Sequence, residues 1–346
     1  MRLPTFCSIS LLAATTVAYD DLLRFNASPQ VETRSIDNIC KDALKEGDVV
    51  TAWMGGDEKN RQGAVKVAFK KAFPGVKLNL TVDLSKYHEG NIDEQLANGK
   101  IYVDTLGLQT LQGFPRWKEE GALLNYAPLG FDKIYPDFRD IDAAYYGFRG
   151  LSWQPIWNTD KLKGKAPQAY PDFLRPEFKE ELVLTSPNAD DAILFAFELI
   201  LKNTAPPGST RCCNKSYDGF EVLPPDLLLS LTLTQRPLNA TFHKQGQFVS
   251  WPQAAAILKD APHTEGAKLF HTFLLSNDFQ KQSGFWSVRS DVPAPVGYLN
   301  FIEMPGTNPW AFSKFMEDRT RVERLRFWLE KRLGTPQGLS PLDDDL

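Results

Sequence analysis

The chain has 346 residues, 42% hydrophobic and 24% charged, with a formal net charge of −4. This is the composition of a globular protein long enough for two domains or one large one. The charge runs are short and mixed, which excludes the basic field that nucleic-acid binding requires.

The first element is an apolar run. Arg2 precedes "LLAATTVA" (11–18), and Thr16-Val17-Ala18 puts small residues at −3 and −1 of a cut after Ala18. That is the pattern of a secretory signal peptide over 1–18, too short to span a membrane. No later run reaches about 18 apolar residues, so no membrane insertion is expected. Sequons at Asn26, Asn79, Asn214 and Asn239 fit a secreted, extracellular glycoprotein. Cys7 lies in the signal, leaving Cys40, Cys212 and Cys213. In an oxidising compartment Cys40 can pair with either of the other two, leaving one thiol.

Residues 19–44 read as a polar lead-in. "DVVTAW" (48–53) is dense in β-branched residues and predicts a strand, with "MGGD" (54–57) as the following turn. Val65, Phe69, Ala72 and Phe73 share one face of a helix over 58–73, which Pro74-Gly75 ends. "KLNLTVDLS" (77–85) alternates, with Leu78, Leu80, Val82 and Leu84 on one strand face. A short helix around Ile92–Leu96 and the strand-like "IYVDTLGL" (101–108) follow. This alternation predicts an α/β sheet with crossover helices. Ligands bind such sheets beyond the carboxyl ends of their strands, here Trp53–Asp57 and Leu106–Thr110.

"AYYGFRGLSWQPIWNTDKL" (144–162) sets two tyrosines ahead of two tryptophans and an Asn-Thr-Asp. Adjacent strand residues point to opposite faces, so one tyrosine faces the cleft and one faces packing. Residues 203–242 carry prolines throughout and no sustained period, a poor pattern for regular structure. Ala267, Phe270, Leu274 and Leu275 sit at helical spacing behind Thr264 as N-cap. A last helix is predicted over 312–333, striped by Val322, Leu325, Leu329 and Leu333 and closed by Gly334.

Catalytic motifs are missing. There is no GxSxG elbow and no phosphate-cradling glycine loop. His88 lacks the second histidine of a HExxH pair, and His263 and His271 lack carboxylates at metal-ligand spacing. Asp190-Asp191 do not face one reacting centre and read as a solvated turn. No cofactor, metal or catalytic residue is expected.

Two long stretches carry a family resemblance. "WQPIWNTDKLKGKAPQAYPDFLRPEFKEELVLTSP" (153–187) resembles the second-lobe entry of type II periplasmic solute-binding proteins. "AAAILKDAPHTEGAKLFHTFLLSNDFQKQSGFWSVRSDVPAP" (254–295) resembles their return segment. The likeness is to the ferric-ion and polyamine branches of ABC-transporter binding proteins, and to secreted fungal homologues of that group. It implies an α/β protein of two lobes with a hinge and an interlobe cleft. After the lead-in, 45–148 begins the first lobe, 149–244 forms the second with 203–242 atypical, and 245–346 returns to the first with the C-terminal helices. The implied function is non-catalytic binding of a small-molecule or anionic solute by a monomer. An enzyme on the same fold, or a ferric-iron binder, is the alternative.

The candidate ligand-binding residues are those at the implied cleft. Gly55 and Gly56 would present backbone N–H groups to an anion. Asp57 could pair with a cation, and Trp53 and Trp251 could cage an amine or stack on a flat ring. Arg289 could hold a carboxylate or phosphate bidentately. Gln109, Thr110, Tyr145, Ser250 and Trp286 complete the set. In the ferric-binding members a tyrosine pair follows the Asn-Thr-Asp. Here Tyr145 and Tyr146 precede it, and Tyr217 is the only tyrosine of 203–242, so ferric binding is expected to be weak or absent.

Overall fold

The computed structural model describes residues 25–335 apart from 180, 183–184, 189, 205–237, 241, 243–245 and 283–285. The signal segment, Cys212, Cys213, Asn214, Tyr217 and most of 203–242 lie outside the described residues.

The segment read as a polar lead-in contains structure. After strand β1 (Gln30–Val31), helix α1 (Ile36–Glu46) starts at Ser35, whose Oγ accepts from Asn38 N at 3.4 Å. Ile36, Ile39, Cys40 and Ala43 fall at helical spacing and pack on the core, a stripe that is readable in the sequence but lies among charged residues. Strand β2 (Val49–Gly55) runs two residues beyond the predicted strand, and helix α2 (Gly63–Ala72) starts later than residue 58. Strand β3 (Lys77–Asp83) leads into helix α3 (Ser85–Asn98). This helix is 14 residues long, its first turns hidden in the sequence by Ser85, Lys86, His88 and Glu89. Strand β4 (Thr105–Leu108), helix α4 (Gly113–Glu119) and strand β5 (Tyr126–Ala127) follow, β5 pairing in parallel with β1.

The chain then leaves along strand β6 (Tyr146–Ser152) into strand β7 (Ile156–Asn158) and helix α5 (Asp191–Thr204). It returns through strand β8 (Leu238–Ala240), which pairs with β7, and strand β9 (Ser250–Ile257). Helices α6 (Thr264–Leu274), α7 (Asn277–Gln282), α8 (Pro309–Glu317) and α9 (Arg319–Leu333) complete it. The single C-terminal helix expected over 312–333 is two, because Asp318 breaks it and caps α9 by accepting from Arg321 N at 3.0 Å.

The main sheet has the order β3-β2-β4-β9-β6. The first three strands are parallel, and β9 is antiparallel to both its neighbours. Thus β6 and β9 run side by side, and their ends at Ser152 and Ser250 meet in register. Beyond those ends lie β7, β8 and α5, with α5 packed on α9 and, through Phe195 against Phe312 and Phe315, on α8. The result is a two-lobe α/β fold. Among the described residues no helix is long and apolar enough to cross a membrane.

Helix α6 lies directly on β2. A Cβ added at Gly266 would come within 2.4 Å of the Val49 carbonyl oxygen, so only glycine allows that approach. Thr264 is not the cap: His263 holds that position. The amides of Glu265 and Gly266, which the helix start leaves without an intrahelical acceptor, instead donate to Glu46 Oε2 from α1, at 2.8 and 3.1 Å.

A buried polar chain ties β4, β6 and α6 together. Thr105 Oγ1 donates to the Ala256 carbonyl at 3.0 Å, so it accepts from His271 Nε2 at 2.5 Å. His271 Nδ1 then accepts from the Tyr146 hydroxyl at 2.6 Å.

Candidate ligand-binding cleft

A cleft open to solvent lies where β2 and β4 end and β6 departs beside incoming β9. Gly55, Gly56 and Asp57 line it from the end of β2, and Ser85 from the start of α3. Gln109 follows β4, Arg149 and Trp153 come from β6 and its exit, and Trp251 and Gln253 from β9. Arg61 stands at the approach to α2, and Asp190 just ahead of α5.

Arg149 reaches this surface because β6 bulges. Gly147 pairs with Ala254, but Arg149 pairs with Gln253, so Phe148 is the extra residue. The displaced Phe148 carbonyl accepts from Gln280 Nε2 of α7 at 2.7 Å. Arg149 and Leu151 therefore share a face with their partners Gln253 and Trp251.

The Arg149 guanidinium is held from two sides. Its Nε donates to Gln253 Oε1 at 2.6 Å and its Nη1 to Gln62 Oε1 at 3.2 Å. Each glutamine spends its own N–H on the backbone, Gln62 on the Gly55 carbonyl (2.8 Å) and Gln253 on that of Gly107 (3.3 Å). Those bonds fix both amides with oxygen toward the arginine. Arg149 is 5% exposed. Burial, and then the like charge of Arg61, bring its pKa down to about 9.

Gln109, beyond β4, meets Asp190, ahead of α5: Gln109 Nε2 donates to Asp190 Oδ2 at 2.6 Å. Asp190 Oδ1 meanwhile caps α5, accepting from Ala192 N (2.7 Å) and Ile193 N (3.0 Å). Burial holds the Asp190 carboxyl above its ordinary range, against the opposing Gln109 bond. Asp190-Asp191 is thus no solvated turn, and Asp191 is buried in an ion pair with Arg326 of α9.

The glycine pair is here for space. A Cβ at Gly55 would fall 2.2 Å from Ser85 Oγ, and one at Gly56 would fall 2.7 Å from Val82 Cγ1. The Gly56 N–H, expected to meet an anion, donates to the Asp83 carbonyl at 3.0 Å.

Of the residues singled out in the sequence, Gly55, Gly56, Asp57, Gln109 and Trp251 meet at the cleft, and the others do not. Trp53 is 7% exposed and stacks on His88, with ring centroids 4.8 Å apart. Thr110 is buried. Tyr145 packs on Phe114, and Ser250 Oγ shares a 2.7 Å hydrogen bond with Thr307. Trp286 packs on Phe242 and Tyr298 and donates to the Leu299 carbonyl. Arg289 braces its lobe, pairing with Asp291 at 2.7 Å and donating to the Leu275 carbonyl at 2.5 Å.

Sequence reasoning missed Arg149, Gln253, Ser85, Arg61, Trp153 and Asp190. A signal existed for two of them: Arg149 and Gln253 are lone polar residues inside apolar strands. Among the described residues no three or more His, Cys, Asp or Glu side chains converge as a metal site.

The description "bacterial extracellular solute-binding protein" matches residues 112–215 as a family. No curated protein matches the chain. Solved structures do. The periplasmic binding protein P5PA is 19% identical, with 82% of this chain and 99% of that one covered at a TM-score of 0.61. AfuA from Actinobacillus pleuropneumoniae, solved with fructose-6-phosphate bound, is 17% identical, with 83% and 99% covered at 0.62. Iron-bound HitA from Pseudomonas aeruginosa is 16% identical, with 81% and 99% covered at 0.58. Likeness at this identity is one of fold: the chain has the two-lobe fold of the periplasmic binding proteins.

Proposed function

We propose that this chain is a secreted, non-catalytic solute-binding protein that holds a small, anionic organic solute between its lobes. The observation that carries this is Arg149, a buried cation on the cleft wall whose orientation two glutamines set in advance. A pre-oriented guanidinium loses little freedom on meeting an oxyanion, which raises affinity. Residues 45–148 and the return after 245 would form one lobe, and 149–244 the other. A solute touching Arg149 and the Asp190 side together would favour closure, because only contacts to both lobes distinguish the closed state. The Gln109–Asp190 bond supports such a latch.

The non-catalytic reading draws its support from the solute-binding family model and from the periplasmic binding proteins that share the fold, with an enzyme on the same fold as the alternative. Ferric binding, which the iron-bound neighbour brings to mind, is disfavoured. Tyr145 and Tyr146 do not line the cleft, and burial raises both phenols above their ordinary range. Secretion draws support from Asn26, Asn79 and Asn239, all exposed within sequons. A monomer is proposed.

The test is ligand-dependent melting of the purified chain across a broad library of small metabolites. A solute at 100 times its Kd stabilises by about 2.7 kcal/mol. A library in which no member shifts the melt, or a member that is turned over, would overturn the proposal.

A further inference from the structure

Two donors on the cleft wall have nothing to donate to. Trp153 and Trp251 both line the cleft, and the indole N–H of each is buried with no acceptor among the described residues. An indole nitrogen only donates. A buried donor left unpaired is costly and calls for an explanation. Among the described residues that line the cleft, no other buried side-chain nitrogen or oxygen lacks a partner. Gln109 donates to Asp190, Gln253 to the Gly107 carbonyl, and Ser152 to Gln154.

Strand register sets the two rings beside each other. Leu151 pairs with Trp251, and Ser152 with Ser250. One step further, the Trp153 amide donates to the Val249 carbonyl at 2.9 Å. Side chains two apart on a strand share a face, so Leu151, Trp153 and Trp251 stand on one side of the β6–β9 ladder. Trp153 and Trp251 are diagonal neighbours there, at a spacing of about 7–8 Å that aromatic side chains bridge. That side is the cleft wall: Arg149 and Gln253, the next pair on it, line the cleft as well.

We infer that Trp153 and Trp251 determine which solute is held: their indole N–H groups donate to the oxygens of a carboxylate or phosphate. This rests on the solute-binding reading above and names the group that the wall selects. A carboxylate offers about four acceptor positions, so one such group can serve both indoles. Hydrogen bonds to a charged acceptor are also the stronger kind. A protonated amine offers donors alone. It could lie over the ring faces, but both indole N–H groups would stay unpaired. Trp251, which by sequence could equally cage an amine, thus selects against one.

The experiment uses the full chain and two pairs of probes matched in carbon skeleton, titrated by calorimetry. Succinate and putrescine form the carboxylate arm, and propyl phosphate and propylamine the phosphate arm. At least one oxyanion should bind more tightly than its matched amine by about ten-fold or more, the worth of a hydrogen bond to a charged acceptor. The arm in which it does so identifies the oxyanion. Trp153→Phe and Trp251→Phe keep an aromatic face without the N–H, and each should lower that affinity by about ten-fold or more. Trp251 packs on Phe312, so its variant can fail through packing alone. A second measurement covers that case. The chain has eight tryptophans, and in the ¹⁵N-labelled wild type two of the indole N–H proton signals should move downfield on saturation with the oxyanion. One of the two should be the signal absent from Trp153→Phe. An amine that binds as tightly as its matched oxyanion, or a saturating oxyanion that leaves both signals in place, would overturn the inference and leave the solute-binding reading standing. So would no binding by any of the four probes alongside a hit elsewhere in the metabolite library. If the library also gives no hit, both fall.

Discussion

Gly55→Ala tests whether the cleft wall is built as tightly as it looks. The added Cβ would lie 2.2 Å from Ser85 Oγ but 3.6 Å from Ser85 Cβ, an ordinary contact. The clash is therefore with one atom. Ser85 Oγ cannot simply turn aside, because it accepts the Gln109 amide at 3.1 Å. Moving it leaves that amide without its acceptor, at about 1–3 kcal/mol. Pushing α3 away from β2 instead is overpacking, which costs about 1–3 kcal/mol. Gly55→Ala should thus destabilise by about 2–4 kcal/mol, depending on how the two responses combine. Ser85→Ala alone removes the acceptor and should cost about 1 kcal/mol. The double variant should cost little more than Ser85→Ala, because the clashing atom is gone. Urea unfolding of the four proteins closes the cycle, with a coupling of at least about 1 kcal/mol expected between residues in contact. If Gly55→Ala destabilises by less than about 0.5 kcal/mol, or if the two effects add, the steric argument is wrong.

Acid should destabilise the fold through its buried histidines. Burial lowers the His271 pKa from 6.5 to about 3 and that of His88 to about 4. A folded-state pKa below the unfolded one means stability fully present above pH 6.5 and lost as pH falls toward 4, at up to about 1.4 kcal/mol per pH unit per histidine. Asp104, Glu89 and Asp190 are held above their ordinary range and act in the opposite sense. The share of His88 is therefore read as the difference between wild type and His88→Phe, whose urea midpoint should fall less steeply below pH 6.5; an unchanged slope refutes it. Tyr146→Phe leaves His271 Nδ1 a buried acceptor without its donor and should cost about 1–3 kcal/mol by urea unfolding, with a neutral result counting against the hydrogen-bond chain. Arg149→Lys keeps the charge but cannot engage Gln62 and Gln253 in the same fork, so the affinity of any solute found by melting should fall by at least ten-fold. Titration with ferric citrate should give no tyrosinate-to-iron absorption band. A strong band that disappears in Tyr145→Phe or Tyr146→Phe would restore the ferric reading.

Much of the first sheet is legible in the chain. β2 shows as a β-branched run, β3 as strict alternation, and α2 as an apolar stripe ended by Pro74-Gly75. These signals are local, because one-sided burial imposes the period of the element on its own residues. The two-lobe fold was legible through long ordered likenesses rather than through any period. What the chain alone could not decide is set by contacts between distant segments. A bulge at Phe148, satisfied by Gln280 far along the chain, turns Arg149 onto the cleft. The Gly55-Gly56 pair reads as an anion loop until Ser85 and Val82 fill the space beside it. Glu46, at the end of a helix that begins within the segment read as a polar lead-in, caps a helix that begins at Thr264. Asp190 reads as a solvated turn, yet it caps α5 and meets Gln109 across the cleft. Trp53 and Arg289 read as ligand groups, yet Trp53 stacks on His88 and Arg289 donates to the Leu275 carbonyl. Local sequence determines which residues can form a strand or helix. Where a side chain ends, in the core or in the cleft, depends on which other elements fold against it.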